Sequence, residues 1–132
     1  MNRAAALLLV CAIACGGPGG ARAFPPPPAG TDDAAAREVL GRFARALDAG
    51  RFDEAHALLS TRWRAAYTPA RLALDFRGAG PAAREAAARV AAQVAAEGPV
   101  ERHREGARLP VGGGRAALLV AEAGSWRVDA LE

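Results

Sequence analysis

Arg115-Ala116-Ala117-Leu118-Leu119-Val120-Ala121-Glu122-Ala123-Gly124-Ser125-Trp126-Arg127-Val128-Asp129-Ala130 is the stretch on which the fold turns. Residues 115–122 form a run rich in Ala, Leu and Val, and 126–130 alternates apolar with polar at period two, so each reads as a strand. Ala123-Gly124-Ser125 reads as the hairpin turn between them. Val100 to Arg104 and Leu109 to Val111 are weaker strand candidates upstream. Gly112-Gly113-Gly114 comes next as a turn, since no helix succeeds it to aim amides at an anion. Helical patterns fill the chain before Pro99. The order predicts an α+β fold, with N-terminal helices packed on one face of a small antiparallel C-terminal sheet.

The helical part has clear punctuation. At Thr31-Asp32-Asp33 either of two oxygen-bearing side chains can cap free amides, and the acids suit a positive helix end. Ala36, Val39, Leu40, Phe43, Ala46 and Leu47 then recur at helical spacing until Gly50. A second helix is predicted from about Asp53, with Ala55, Leu58, Leu59 and Trp63 toward the core; a short loop makes the two antiparallel neighbours. Thr68-Pro69 is a strong start signal for a third, whose inner face carries Leu72, Ala73 and Phe76. Pro81 opens an alanine-rich stretch to Glu97 whose only large apolar side chains are Val90 and Val94, a stripe so narrow that it belongs on the outside.

The opening Phe43-Ala44-Arg45-Ala46-Leu47-Asp48-Ala49-Gly50-Arg51-Phe52-Asp53-Glu54-Ala55-His56-Ala57-Leu58-Leu59-Ser60 and the closing Leu119 to Asp129 resemble the two ends of exported bacterial domains of the nuclear transport factor 2-like superfamily. About 30 residues carry the resemblance: a helix hairpin whose Gly-x-Phe turn drives an aromatic inward, and a Gly-x-Trp-x-Val hairpin facing it. The middle departs, because 81–97 looks helical where many members have strands, which implies a shorter sheet and a shallow cone. The rival reading, a tetratricopeptide-type helix pair built on residues 47–55, needs about three stacked repeats, and no second copy occurs ~34 residues on.

Ahead of this domain, Met1-Asn2-Arg3 supplies a positive start and Ala4 to Ala14 an unbroken apolar run of 11 residues. That is the layout of a secretory signal, and it is too short to span a bilayer, which takes ~20 residues. Two exits compete. Ala21-Arg22-Ala23 precedes Phe24 as an A-x-A cleavage site, whereas Ala12-Ile13-Ala14-Cys15 resembles a lipobox in which Cys15 is lipidated. The predicted organisation is a signal peptide over 1–23, a proline-rich linker over 24–31 and a nuclear transport factor 2-like domain over 32–132. The product is periplasmic or secreted, or anchored to the membrane through Cys15.

Composition narrows the function. From Phe24 onward the large apolar set is 24 of 109 residues, a thin core, while alanine alone contributes 36 residues to the whole chain. All 17 basic residues are arginine, the usage of a GC-rich bacterial coding bias. All 14 acids lie beyond Phe24, so cleavage after Ala23 leaves 15 arginines against them, a net of +1. That argues against a nucleic-acid partner, which calls for a strongly basic face. Cys11 and Cys15 are the only cysteines, so the domain folds without a disulfide.

The resemblance implies a noncatalytic envelope domain whose shallow pocket or sheet binds a partner protein or a small apolar ligand, lined by Phe43, Trp63, Tyr67, Phe76 and Trp126. The same five side chains would also serve as plain core. An enzyme of the ketosteroid-isomerase type is the alternative, since superfamily cones hold an acid or base beside a Tyr or His. The parts here are Tyr67, His56, Asp75 and Asp129, and no motif joins them. A carboxylate beside Tyr67 in an open pocket would favour that reading, yet Asp129 alternates away from Trp126 and Val128, and Asp75 is expected outside its helix. A purely structural, all-helical adaptor is the third reading.

Glu101, His103 and Glu105 would share one face of a strand, but one His makes a poor metal site and a solvated edge explains the run. Neither a metal nor a cofactor is called for. Arg62, Arg64 and Arg71 flank Trp63 and Tyr67 without amounting to a stacking platform for bases.

Overall fold

The structure, a computed structural model, describes residues 31–132; the leader, Cys15 and residues 24–30 of the proline-rich segment lie outside the described residues. Helix α1 runs Asp33–Asp48. Of the two candidate caps Asp32 serves, its carboxylate accepting from the Ala35 amide at 2.7 Å. Thr31, assigned to the linker from sequence, is buried with the domain. The helix ends where Gly50 takes φ +70°, letting the Gly50 and Arg51 amides return to the Leu47 and Ala46 carbonyls at 3.1 and 2.8 Å.

The second predicted helix is broken in two. Helix α2 covers Phe52–Ala57 and α3 covers Thr61–Ala66. Between them the chain lies beside the last strand: the Val128 amide donates to the Leu58 carbonyl at 2.9 Å, and the Ser60 amide donates to the Val128 carbonyl at 2.8 Å. Periodicity rightly turns Ala55, Leu58 and Leu59 inward, and all three are buried. What it misses is that a sheet edge competes for the backbone of 58–60 and wins, covering an otherwise open strand. Helix α4, Pro69–Gly78, starts at the expected Thr68 cap, and α5, Pro81–Ala95, is one helix.

The remaining elements are four strands: β1 Glu101–Arg102, β2 Gly106–Gly112, β3 Arg115–Glu122 and β4 Ser125–Leu131, an antiparallel meander in chain order. The α+β prediction therefore stands, and an all-helical architecture is excluded. Strand β1 is only two residues long, so the predicted strand through Arg104 is not formed; the His103 amide instead closes a turn onto the Gly106 carbonyl at 2.9 Å. The alternating face of Glu101, His103 and Glu105 goes with it, and no group of three metal-ligating side chains occurs among the described residues.

The helices lie on one face of the sheet. Helix α1 packs against β4 and α5, and α5 against β2. Gly41 permits the helix contact, since a Cβ there would stand 3.3 Å from Val94 Cγ1. Leu40, Phe43 and Leu47 of α1 meet Leu109, Leu119, Trp126 and Val128 of the sheet in one buried cluster, each large side chain contributing ~1.5–3 kcal/mol by its burial. Trp126 ties the start of β4 to the start of α1, its indole N–H donating to the Asp32 carbonyl at 3.1 Å. Arg102 covers the same ring at 5.5 Å and pairs with Asp33 at 2.8 Å.

Strand β4 is irregular near its end. Leu119 faces Val128 and Leu118 faces Ala130, which leaves Asp129 as an extra residue in β4. Such a bulge bends the strand and re-aims a side chain.

Candidate functional site

At the C-terminal end of α1 the helices splay, and an open hollow of about 310 Å³ lies between α1, α3, α4, α5 and the end of β4. Each wall has a local cause. Phe43 and Leu47 form the floor because they are one turn apart on the inner face of α1. Helix α3 presents Trp63 and, at its C-cap, Tyr67, whose rings stand 5.4 Å apart with planes tilted by 60°. Helix α4 adds Leu72 and Phe76, and Phe76 is backed by Phe52 at 5.8 Å. Ala83 and Ala86 of α5 leave room where larger residues would fill it.

Four of the five aromatics expected to line a pocket, Phe43, Trp63, Tyr67 and Phe76, therefore meet in one place. Trp126 does not join them. It is 4% exposed and sits in the core at the opposite end of α1, against Asp32.

The two carboxylates expected to point away both line the hollow. For Asp129 the reason is the bulge: simple alternation would send it to the outer face, and the extra residue returns it to the side of Val128. Ser60 Oγ donates to Asp129 Oδ1 at 2.7 Å, and Arg62 donates to Oδ2 at 2.7 Å. Asp75 lies at the edge of the inner face of α4, three residues after Leu72 and next to Phe76, a position a helical projection places on the boundary. It pairs with Arg71 at 3.0 Å across an exposed helical turn. Its carboxylate also acts on Tyr67, by hydrogen bonding first and by charge second, and raises the phenol above its usual pKa.

Helix α3 is held by polar tethers, none of its residues being buried. Glu122 of β3 receives the Thr61 amide at 3.0 Å to both oxygens and the Thr61 hydroxyl at 2.8 Å, with Arg64 3.8 Å away. Those hydrogen bonds stabilise the anion and lower the Glu122 pKa. His56, expected to be a bland surface residue, ties α2 to this region. Its Nε2 lies 2.8 Å from the Tyr67 carbonyl; a carbonyl only accepts, so the ring nitrogen donates. The indole N–H of Trp63 is buried with no acceptor among the described residues. Arg62, Arg64 and Arg71 thus each face a carboxylate rather than forming an open basic patch.

Chemically, the hollow is apolar over most of its wall, with two carboxylates and one phenol at its rim. A smaller hollow of about 110 Å³ between α5 and the sheet carries charges of both signs, Glu85, Arg89, Arg115 and Glu132, and offers no comparable apolar surface. No helix among the described residues is long and apolar enough to cross a membrane. The chain matches no family model, no curated protein and no solved structure.

Proposed function

We propose that this chain is an exported, noncatalytic domain of the bacterial cell envelope, of nuclear transport factor 2-like type, that binds a small apolar ligand in the hollow between its helices and the end of β4. The observation that carries the reading is the convergence of Phe43, Trp63, Tyr67 and Phe76 on one open, mostly apolar hollow of about 310 Å³. Ligand sites are concave and apolar with a few polar groups, and this volume lies at the lower end of their range. Trp63, Tyr67 and Phe76 are only partly buried around it, while Phe43 at its floor belongs to the core.

The test is titration with the neutral probe N-phenyl-1-naphthylamine. A saturable fluorescence rise at one probe per chain is expected, and Ala83→Trp, which fills the hollow, should abolish it. A rise that never saturates, or one indifferent to Ala83→Trp, overturns the ligand site. Mass spectrometry of the mature protein addresses export: acyl-Cys15 or a free Phe24 supports it, and an intact Met1 leader on envelope-fractionated protein overturns it.

A second reading, the cone-pocket enzyme, is favoured by one observation, Asp75 beside Tyr67 at an open hollow. It is weaker because Asp75 is half-exposed and already paired with Arg71. A general base works best in a dry site, and this carboxylate is 37% exposed to water.

A further inference from the structure

We infer that the hollow selects a small hydrophobic cation, an organic ammonium with apolar substituents, over neutral or anionic molecules of the same shape. The inference rests on the reading of the hollow as a ligand site and adds the class of ligand. It starts from the sign of the charged side chains that line it. Asp75 and Asp129 do so; among the described residues no arginine or histidine does. Arg62 and Arg71 pair with these carboxylates without lining the hollow, and their side chains are 66% exposed against 26% for Asp129 and 37% for Asp75.

The two acids differ in what they have left to offer. Both oxygens of Asp129 are engaged, Oδ1 by Ser60 and Oδ2 by Arg62. Asp75 pairs with Arg71 through Oδ1 alone, 3.0 Å from Nε, and shares the wall of the hollow with Tyr67. Asp75 is therefore the anchor, and Asp129 contributes field.

The walls suit the same ligand. The negative π faces of Trp, Tyr and Phe attract cations, and rings set at an angle present more than one face to a single charge. Trp63 and Tyr67 are tilted by 60° at 5.4 Å, and Phe76 adds a third ring to the lining from α4. The protein already uses this chemistry nearby, with the Arg62 guanidinium 5.2 Å from the centre of the Trp63 ring. An organic ammonium is weakly hydrated, so it loses little on entering an apolar space that an inorganic cation would avoid.

The experiment compares phenyltrimethylammonium with its uncharged isostere tert-butylbenzene, monitored by the indole N–H resonances of the full chain in solution. The chain has two tryptophans, so Trp63 reports the hollow and Trp126 is an internal control. The expected result is a saturable shift of Trp63 alone, with the cation binding at least about tenfold more tightly than the isostere. Asp75→Asn should lower that ratio several-fold, toward the smaller preference the ring faces supply alone; an unchanged ratio overturns Asp75 as the anchor. Equal affinities in the unsubstituted chain overturn the cation assignment and leave the apolar site standing. Failure of both probes to move Trp63 overturns the ligand site itself.

Discussion

Ser60 and Asp129 are joined by a 2.7 Å hydrogen bond from hydroxyl to carboxylate, at the place where the helical half of the chain pairs with the sheet. Ser60 is 1% exposed, and its amide simultaneously donates to Val128. The bond fixes both the start of α3 and the direction of the bulged carboxylate. Hydrogen bonds to charged groups contribute ~1.5–3 kcal/mol, and partial exposure of Asp129 reduces that, so Ser60→Ala should cost about 1–2 kcal/mol. Arg62→Ala removes only an exposed partner of the same carboxylate and should cost less than about 1 kcal/mol. Urea denaturation of the two variants checks the order; a larger loss for Arg62→Ala would show that the outer ion pair, and not Ser60, holds the seam.

Where local chemistry settles the outcome, the sequence is readable. The Asp32 and Thr68 caps, the stop at Gly50 and the hairpin turning between Glu122 and Ser125 all arise from side-chain chemistry within a few residues, and all are found. The aromatic floor of the hollow comes from helical period as well. The failures have a common source, because each depends on a contact between distant segments. Pairing of 58–60 with Val128 interrupts a helix that periodicity alone would continue. The bulge at Asp129 is set by register against Leu118 and Leu119, which nothing in residues 125–131 announces, and it moves a carboxylate from the outer face to the hollow. Trp126 is misplaced for a related reason: its aromatic character suggests a pocket, and only its distance along β4 from Leu131 puts it at the other end.

Glu122 makes the attachment of α3 sensitive to acid. Its folded pKa is lowered, chiefly by the Thr61 hydroxyl and amide. A carboxyl with a depressed folded pKa contributes stability that is fully present above its unfolded value of about 4.3, and loses it as pH falls through the folded value. The melting-temperature advantage of the unsubstituted chain over Glu122→Gln should thus be present at about pH 7 and shrink on acidification to about pH 3. A difference that stays constant over that interval would remove Glu122 as an ionised anchor.

The end of α5 holds a correctable strain. Glu97 occupies the left-handed region at φ +52°, while the Glu97 and Gly98 amides return to the Val94 and Gln93 carbonyls at 3.1 and 2.8 Å. This is the closing motif that ordinarily places glycine where Glu97 stands. A side chain there costs roughly 1–2 kcal/mol, partly offset by the greater chain entropy glycine loses on folding. Glu97→Gly should therefore stabilise the domain by about 0.5–1 kcal/mol, whereas Gly50→Ala, at the equivalent position after α1 with φ +70°, should destabilise it by about 1 kcal/mol. Thermal denaturation of the pair checks both signs, and a destabilising Glu97→Gly would mean that the Glu97 side chain makes a compensating contact.

Tyr67 can be watched directly, because it is the only tyrosine in the chain. Asp75 raises its pKa by hydrogen bonding and by charge, against a smaller opposing effect from Arg71. Ultraviolet absorbance of the phenolate, recorded on raising the pH, should therefore show a midpoint above the ordinary value of about 10. Asp75→Asn removes the carboxylate charge and should lower the midpoint toward that value; Arg71→Ala removes the opposing charge and should raise it further. Stability moves in the same direction: a raised folded pKa means the interaction is intact below about pH 10 and is lost as pH rises through the folded value. If Asp75→Asn leaves the midpoint where it was, the carboxylate does not face Tyr67, and both the cation anchor and the enzyme alternative lose the geometry they share.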